Sequence, residues 1–237
     1  MNPTIIAHRG ASGHAPENTE AAFKRALELN ADGVEFDVQL TKDNKVVVIH
    51  DERVDRLTNA KGFVHQFTLK EIKKLDFGQH FSEKFKGQRI LTLEETLQLV
   101  NDFKLINIEL KNWMGYPGLE EKTLELVDQY NLKDKVIISS FNHYSLRKIK
   151  QIAPETRTAM LYFARLYRPW IDAIKIGAEA LHPYYLTLDR EIVENSHLAN
   201  IKINAFTVNK KEEIKKMIDL NIDGIITDFP DRVLKLL

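Results

Sequence analysis

Short apolar segments rich in β-branched residues alternate with helical patterns along most of this 237-residue chain. The alternation predicts nine strands, at residues 4–8, 33–40, 46–50, 105–110, 135–141, 157–162, 179–183, 201–207 and 223–227. Apolar positions at helical spacing predict helices at 18–30, 93–102, 119–131, 143–152, 189–197 and 210–220, and a last one from residue 230. Strand–helix alternation of this length is typical of an α/β fold, and eight such units predict a (β/α)8 TIM barrel as a single domain over residues 1–237.

A hairpin accounts for the ninth strand. The segment KDNK at residues 42–45 is a turn signal between two alternating runs, with no room for a helix. If its middle two residues form the turn, position 42 pairs with 45 and Asp37 lies opposite His50, on the same face as Glu35. The hairpin therefore predicts that two acids and a histidine share one end of the barrel.

Residues 51–90 break the alternation, since they are polar and rich in turn residues apart from one short helix predicted near 69–75. The segment begins directly after a strand end, and insertions there lie on the face where barrel active sites are built. We therefore predict a small cap insertion over one end of the barrel. We expect its five phenylalanines to form the cap's own core, namely Phe63, Phe67, Phe77, Phe81 and Phe85.

Composition narrows the class of protein. Thirty-four basic residues balance thirty-four acidic ones, so no net positive field attracts nucleic acid or an anionic membrane. The sequence contains no cysteine, which rules out disulfides and thiolate chemistry. Because the first strand is predicted from residue 4, we expect no signal peptide. No apolar run approaches the length that spans a membrane. We expect a cytoplasmic protein with no nucleic-acid partner and no membrane insertion.

Three acidic residues, Glu35, Asp37 and Glu109, are placed where they can form a metal site. The first two point the same way from one strand because they are two residues apart, and the third alternates with Lys111 along another. Carboxylates that point into a barrel are costly unless they are paired or bound to metal. An all-oxygen ligand set favours one divalent cation, Mg²⁺ or Ca²⁺, over zinc. Two alternatives remain: each acid forms an ion pair at the barrel rim, or Glu35 and Glu109 are the catalytic pair of a glycosidase.

Two of the eight histidines end apolar strands beside charged residues. His8 and His50 occupy these positions, and a pair of histidines flanking a metal cluster can act as general acid and general base. His14 lies in the first loop near the predicted site. His182 follows a strand-like segment, where it either lines the pocket or is buried with a hydrogen-bond partner. We expect the remaining histidines to face solvent: His65, His80, His143 and His197.

Five segments together resemble the glycerophosphodiester phosphodiesterase family. They are, in chain order, HRGASGHAPENTEAAF, VEFDVQLTKDNKVVVIHD, INIELK, NAFTVN and DGIITDFPD. The resemblance covers essentially the whole chain and implies a (β/α)8 barrel related to the phosphatidylinositol-specific phospholipases C, with a small insertion after the HD segment. This agrees with the barrel and the cap predicted from the pattern of residues.

The resemblance also implies a role for each candidate residue. His8 and His50 would be the acid–base pair. Arg9 and Lys111 would bind the non-bridging phosphate oxygens, the arginine as a bidentate fork and the lysine as a point charge. The three acids would hold one divalent cation.

Residues around these groups complete the implied pocket. Glu17 and Asn18 would brace the first loop, and Asn18 would also cap the first helix. Phe206 stands where many family members carry tryptophan before TVN, so an apolar wall for the glycerol is kept while an indole N–H is lost. Phe141 would form the opposite wall or pack in the core.

The implied reaction is hydrolysis of a small-molecule glycerophosphodiester, such as glycerophosphocholine or glycerophosphoethanolamine, to glycerol 3-phosphate and an alcohol. The nucleophile would be water or the substrate's own glycerol 2-hydroxyl. A lysophospholipase D, or another phosphodiesterase on the same barrel, is the alternative that keeps the chemistry and changes the substrate. A barrel that only binds a phosphorylated ligand is less favoured, since binding alone needs no pair of proton carriers.

Overall fold

Eight parallel strands close into a barrel in the computed structural model, which describes residues 2–112 and 116–237. The strands are, in chain order, β1 Thr4–His8, β2 Gly33–Leu40, β3 Val46–Val48, β4 Leu105–Leu110, β5 Val136–Ser140, β6 Arg157–Tyr162, β7 Ala180–Pro183, β8 Lys202–Ala205 and β9 Gly224–Thr227. The sheet runs in the order β1-β9-β8-β7-β6-β5-β4-β2-β3, and a further parallel pairing of β1 with β2 closes it. The predicted TIM barrel is confirmed, with β3 as an additional antiparallel strand on β2.

Helices follow most of the strands and cover the outside of the barrel. They are α1 Glu20–Glu28, α2 Leu69–Ile72, α3 Leu93–Leu99, α4 Leu119–Gln129, α5 His143–Ile152, α6 Pro169–Ile176, α7 Arg190–Leu198, α8 Lys211–Asp219 and α9 Pro230–Leu234. Short 3₁₀ helices occur at Val64–Gln66, Glu83–Phe85 and Tyr185–Thr187. Within residues 2–112 and 116–237, no helix combines the length and the apolar character needed to cross a membrane.

The pattern of apolar residues did not predict α6. This helix has Pro169 at its start and ends at Gly177, whose φ of 76° suits a left-handed C-cap. Two of its isoleucines, Ile171 and Ile174, are 37% and 56% exposed. Its apolar residues are therefore not confined to one buried face, and the segment lacks the mostly polar outer face by which the other helices are recognised.

The main hydrophobic core lies between the strands and the surrounding helices. Every residue of β2 is buried, as expected for a strand covered on both faces. A smaller cluster of buried side chains is contributed by β1, β6 and β9 and by the residue after β8, namely Ile6, Leu161, Ile226 and Phe206. The barrel interior is therefore packed, and space for chemistry is left at its ends.

The β2–β3 hairpin differs from the predicted register by one residue. Asp37 lies opposite Ile49 and not opposite His50, and β3 ends at Val48. The cause is the length of the loop, because three residues connect the paired positions and the last of them, Asn44, takes a left-handed φ of 57°. His50 consequently lies beyond the strand, where the chain turns into the cap.

Thr19, and not Asn18, caps α1. The side-chain oxygen of Thr19 accepts the N–H of Ala22 at 3.3 Å. Asn18 adopts a left-handed φ of 57°, and its Nδ2 donates to Oδ2 of Asp37 at 2.9 Å. The predicted capping role of Asn18 is wrong, since its side chain is used to hold an acid of the barrel.

Residues 51–90 contain α2 and two of the 3₁₀ helices. Their buried side chains form a small core with Val47 and Ile49 of the hairpin, namely Val54, Leu57, Val64, Ile72, Phe77 and Ile90. Of the five phenylalanines, Phe77 is buried there and Phe67 packs against it, whereas Phe81 is 43% exposed. The cap core is therefore mostly aliphatic, and the division of the chain into one barrel domain with a cap insertion stays a prediction.

Candidate active site

The predicted site residues meet at one end of the barrel. His8 is the last residue of β1 and lies opposite Glu35 of β2. Asp37, further along β2, lies opposite Glu109 of β4. Because these strands are parallel neighbours, side chains far apart in the chain converge at the carboxyl ends of the strands, where barrel enzymes build their sites.

Glu35, Asp37 and Glu109 form a compact buried cluster. One carboxylate oxygen from each lies within 4.8 Å of the others, and the residues are 3%, 1% and 8% exposed. Oε1 of Glu35 and Oδ1 of Asp37 have no hydrogen-bond partner among the described residues. Burial and neighbouring negative charge raise the pKa of Glu35 well above its ordinary value and also raise the pKa of Glu109. Close carboxylates with unpartnered oxygens are costly alone and fit a hard divalent cation.

Two cations, Arg9 and Lys111, flank these carboxylates. Nζ of Lys111 lies 2.7 Å from Oε1 of Glu109 and 3.8 Å from Oδ1 of Asp37. Nε of Arg9 lies 3.4 Å from Oδ2 of Asp37, and its backbone N–H donates to Oε2 of Glu35 at 2.9 Å. Burial alone would raise the pKa of Asp37, but the nearby positive charges, Arg9 first, hold it well below its usual range. The cluster therefore carries both signs of charge in one buried space.

The first loop holds the arginine and the central acid in place. Nη1 of Arg9 donates to Oε1 of Glu17 at 2.9 Å. Asn18 donates to Asp37 from the adjacent position. These contacts agree with the predicted bracing role of Glu17 and Asn18.

His8 is held by an aspartate from the far end of the chain. Nδ1 of His8 lies 2.6 Å from Oδ1 of Asp228, the residue after β9. A carboxylate only accepts hydrogen bonds, so Nδ1 carries a proton and Nε2 is left facing the carboxylate cluster. Burial and the charge of Arg9 lower the pKa of His8, against the opposing effect of Asp228. Ser12 and Asn209 donate to Asp228 at 2.8 Å and 2.6 Å and fix its orientation.

His50 has the same kind of partner. Its Nδ1 lies 2.7 Å from Oδ1 of Asp51, which leaves Nε2 as the nitrogen that can face a substrate. The side chain of His50 is 31% exposed, compared with 17% for His8. His50 therefore lies nearer the mouth of the site.

Sequence reasoning missed both aspartates as site residues, although signals for them exist. Asp51 is the aspartate of the HD segment and directly follows His50 in the chain. The segment DGIITD at 223–228 repeats DGVEFD at 32–37, which places Asp228 at the position of Asp37 in a second strand. The repeat predicts that both aspartates end up at the same end of the barrel, as they do.

An aromatic wall, formed by Phe141, Phe163, Tyr184 and Phe206, borders the site. The predicted wall residues Phe141 and Phe206 meet edge to face, with ring centroids 5.8 Å apart. Phe163 stacks on Phe141 at 5.6 Å, contacts Phe206 at 5.3 Å, and is 60% exposed. Tyr184 contacts Phe163 at 5.0 Å. Sequence reasoning missed Phe163 and Tyr184, whose signal is that each directly follows a strand.

Two cavities border the site and share part of this wall. One, of about 470 Å³, is lined by His8 and Arg9. The other, wider and of about 760 Å³, is lined by Asp51 and Lys111. His50 and the stacked rings of the wall border both cavities.

Four other histidines have hydrogen-bond partners away from the carboxylate cluster, whereas His80 is exposed as expected. His14 and His197 each pair with an aspartate, at 2.9 Å and 2.8 Å. His143 bonds to a backbone carbonyl at 2.9 Å, so neither it nor His197 simply faces solvent as expected. His182 is buried beside Asn204, and burial lowers its pKa to about 3. The interpretation of His182 as a buried histidine with a partner is therefore favoured.

Barrel folds host many reactions, so the side chains at the carboxyl end decide the class. Imidazole rings held in fixed orientation, set beside cations in a buried space, are groups suited to the cleavage of a phosphate ester. The fold and the site therefore define a barrel enzyme of the kind that acts on phosphate esters.

Comparison with known proteins gives the family. Residues 8–232 match the model of the glycerophosphoryl diester phosphodiesterase family. The chain is 52% identical to the glycerophosphodiester phosphodiesterase of Caldanaerobacter subterraneus subsp. tengcongensis, over 100% of this chain and 98% of that protein. It is 36% identical to the glycerophosphodiester phosphodiesterase of Bacillus subtilis (strain 168), over 95% of this chain and 83% of that protein. The chain belongs to this family and is a glycerophosphodiester phosphodiesterase.

Solved structures agree with this assignment. An Oleispira antarctica phosphodiesterase in complex with the product sn-glycerol-3-phosphate is 30% identical, with a TM-score of 0.92 over 99% of this chain and 96% of that one. The glycerophosphodiester phosphodiesterase from Agrobacterium tumefaciens str. C58 is 29% identical, with a TM-score of 0.87 over 99% of this chain and 100% of that one. The barrel is therefore shared along the whole length of the chain.

Proposed function

We propose that this enzyme hydrolyses glycerophosphodiesters such as glycerophosphocholine and glycerophosphoethanolamine by metal-dependent acid–base catalysis, releasing glycerol 3-phosphate and an alcohol. One observation carries the proposal: two histidines, each held by its own aspartate, stand beside three buried carboxylates whose oxygens lie within 4.8 Å. Diester hydrolysis needs a proton removed from the attacking oxygen and a proton supplied to the leaving alcohol. Two oriented histidines supply both transfers.

Glu35, Asp37 and Glu109 would hold one divalent cation, Mg²⁺ or Ca²⁺. Both ions prefer carboxylate oxygens, and two oxygens of this cluster have no hydrogen-bond partner among the described residues. When bound, the cation would draw charge from the phosphate and stabilise the charge that develops in the transition state. Its binding would also offset the mutual repulsion of three buried carboxylates.

Arg9 and Lys111 bind the non-bridging oxygens of the phosphate. Their side chains are only 16% and 5% exposed, so their charges act in a space with little water to weaken them. The neighbouring carboxylates raise the pKa of Lys111 in spite of its burial, which keeps it charged. The fork of Arg9 fixes the orientation of the phosphate, and Lys111 contributes a second positive charge.

His8 accepts the proton of the attacking oxygen, and His50 donates a proton to the leaving alcohol. The lowered pKa of His8, caused by burial and then by Arg9, favours the neutral ring that accepts a proton at neutral pH. His50 is the more exposed histidine and borders the wider cavity, which gives a departing alcohol a path to solvent. The attacking oxygen is either water or the glycerol 2-hydroxyl of the substrate, and both require the same base.

We place the glycerol against Phe141 and Phe206 and the alcohol in the wider cavity. The exposed ring of Phe163 favours a second candidate substrate, a lysophospholipid whose acyl chain would lie along that ring. The cap phenylalanine Phe77 gives no such support, because it is buried in the cap core. A series of lysophospholipids of increasing chain length separates the candidates. Rates that rise with acyl length favour the lysophospholipid, and rates highest without an acyl chain favour the glycerophosphodiester.

Metal dependence is tested by release of glycerol 3-phosphate from glycerophosphocholine in EDTA, followed by addition of Mg²⁺ or Ca²⁺. We expect release to stop in EDTA and to return with one of the two ions, which identifies the cation. Undiminished release in EDTA would overturn the metal proposal.

The histidine roles are tested separately with alanine variants. We expect His8→Ala and His50→Ala each to lower kcat by about a hundredfold or more. Turnover close to wild type in both variants would overturn the assignment of the acid–base pair.

We propose a cytoplasmic location and a small-molecule diester as the partner, without nucleic acid and without membrane insertion. The formal net charge of zero at pH 7 provides no general field for a polyanion. The sequence contains no cysteine, which suits a reducing compartment.

A further inference from the structure

Arg56, a residue of the cap, lies between two parts of the site. Its guanidinium donates to both carboxylate oxygens of Glu17, at 2.8 Å and 2.7 Å, and to both of Asp51, at 2.6 Å and 3.1 Å. Glu17 also accepts from Arg9 at 2.9 Å, and Asp51 holds Nδ1 of His50 at 2.7 Å. One cap side chain therefore links the phosphate-binding arginine to a histidine proposed to move a proton.

The contacts around Asp51 show what Arg56 contributes. Oδ1 of Asp51 is shared between Nδ1 of His50 and Nη2 of Arg56, and Oδ2 accepts from Nε of Arg56. Among the described residues, these are the side-chain hydrogen bonds of this carboxylate. Without Arg56 the carboxylate of Asp51 keeps its bond to His50 but is free to rotate, so the plane of the His50 ring is no longer fixed.

The arrangement differs from an ordinary surface ion pair. Isolated exposed pairs contribute little, but an arginine fork on two carboxylates imposes geometry on both. Arg56 is half exposed, whereas the side chains of Glu17 and Asp51 are only 15% and 25% exposed. Burial would raise the pKa of both acids, yet hydrogen bonds from Arg56 and from the site residues keep both pKa values below their usual range.

We propose that Arg56 is a positioning residue that fixes Asp51 against Glu17, so that His50 presents Nε2 to the leaving alcohol. The inference rests on the proposed general-acid role of His50. It also gives the cap a function, because the cap carries the side chain that orients a proton donor of the barrel.

Dependence on the leaving group tests this role. Glycerophosphocholine needs a proton on its departing alcohol, whereas the p-nitrophenyl ester of glycerol 3-phosphate releases a far more acidic phenol that departs without one. For Arg56→Met we expect kcat on glycerophosphocholine to fall about 10- to 100-fold, with KM near the wild-type value. On the nitrophenyl ester we expect a change of less than about threefold. Arg56→Lys keeps the charge but loses the fork, and we expect an intermediate kcat on glycerophosphocholine.

Arg89→Met is the matched control. It removes the same charge from the same cap, and Nη1 of Arg89 donates to the backbone oxygen of Leu75 at 2.9 Å. We expect wild-type kcat on both substrates. Far-UV circular dichroism and Tm establish that each variant is folded, and Arg56→Lys carries the test if Arg56→Met does not fold.

The result for His50→Ala shows whether a failure lies in the inference on Arg56 or in the proposed general-acid role of His50. If His50→Ala shows the leaving-group dependence and the Arg56 variants show none, the inference on Arg56 is wrong while the proposed function stands. The inference on Arg56 is also wrong if the Arg56 variants lose kcat equally on both substrates, or lose none. If His50→Ala itself loses kcat equally on both substrates, the general-acid role of His50 is wrong, and the inference on Arg56 is then wrong as well.

Discussion

Every side chain proposed to bind phosphate or to move a proton already has a carboxylate partner. The four pairs are Arg9 with Glu17, His8 with Asp228, His50 with Asp51, and Lys111 with Glu109. These carboxylates hold the long side chains and the rings in one orientation before substrate arrives, which lowers the cost of ordering them during the reaction. The roles of single residues are therefore best tested by changing the partner as well as the group itself.

Asp228→Asn tests the partner of His8. The amide has nearly the same shape but can donate to Nδ1, which favours the tautomer that places the proton on Nε2. We expect kcat to fall at least about tenfold on both glycerophosphocholine and its nitrophenyl analogue, because His8 acts on the attacking oxygen in each case. Asp231→Asn is the control, since Asp231 holds His14 instead, at 2.9 Å. Equal activity of the two variants would contradict the role of Asp228.

Glu35→Gln tests whether the carboxylate cluster is costly without a cation. Burial and the charges of Asp37 and Glu109 raise the pKa of Glu35 well above its ordinary value of 4.5. The folded state therefore binds this proton more tightly than the unfolded state, and wild-type stability falls as the pH rises above 4.5 towards the folded pKa. We expect the variant to be inactive even with Mg²⁺ or Ca²⁺ added, and in EDTA at neutral pH we expect its Tm to be higher than that of wild type by about 2–4 °C.

Scanning fluorimetry across pH checks the sign of this effect. The advantage of Glu35→Gln is expected to shrink as the pH falls and to disappear below about 4.5, where the wild-type carboxyl is protonated in both states. Glu125→Gln, a change at an exposed position of α4, is expected to leave Tm unchanged at every pH. A variant no more stable than wild type at neutral pH would contradict the prediction.

The carboxylate trio could be predicted from the sequence because alternation within two strands fixes which side chains share a face. The partners of the histidines and arginines could not be predicted in the same way. His8 and Asp228 are 220 positions apart, and Arg56 lies 39 positions from Glu17 in a segment without regular alternation. Contacts of this kind depend on barrel closure and on loop conformation, and neither is encoded in a local pattern.

The length of the hairpin loop determines which residue lies opposite Asp37 and therefore where His50 lies. A two-residue turn would have kept His50 opposite Asp37, whereas the observed three-residue loop shifts the pairing by one and places His50 beyond the strand. The turn signal KDNK reveals that a turn exists, but both loop lengths are compatible with it. Helix α6 was missed for a related reason, because local signals mark its ends but do not identify the segment between them as a helix. Its proline and glycine mark the ends, and its exposed isoleucines make its outer face apolar.

Asn44 is expected to stabilise this loop through its backbone conformation. Its φ of 57° strains a residue with a Cβ unless the side chain is of the asparagine type. We expect Asn44→Ala to lower the free energy of unfolding by about 1 kcal/mol and Asn44→Gly to leave it near the wild-type value, as measured by chemical denaturation. Lys45→Ala, at the exposed neighbouring position, is the control. Equal losses for Asn44→Ala and Asn44→Gly would contradict the prediction.

The barrel and residues 51–90, the predicted cap, have separate hydrophobic cores, and the core of the cap includes residues of the hairpin. The barrel is closed by pairing of β1 with both β2 and β9, which ties the two ends of the chain together. The cap core reaches the barrel through Val47 and Ile49. Arg56 adds a polar connection from the cap to the first loop. Hydrogen bonds to the hairpin add to these contacts, since the N–H of Lys42 donates to the backbone oxygen of Phe67 at 2.8 Å. The cap is therefore joined to the barrel by apolar contacts at the hairpin and by polar contacts at the hairpin and the first loop.

Ile72→Ala tests whether the cap opens before the barrel unfolds. Ile72 is fully buried in the cap core, and its truncation is expected to cost about 2–5 kcal/mol. Because that loss is confined to the cap, we expect activity on glycerophosphocholine, which depends on Arg56, to fade at a lower temperature than the far-UV circular dichroism signal. Leu146→Ala, at an equally buried position of α5 in the barrel, is expected to lower both midpoints together. Coincident midpoints in Ile72→Ala would mean that cap and barrel unfold as one unit.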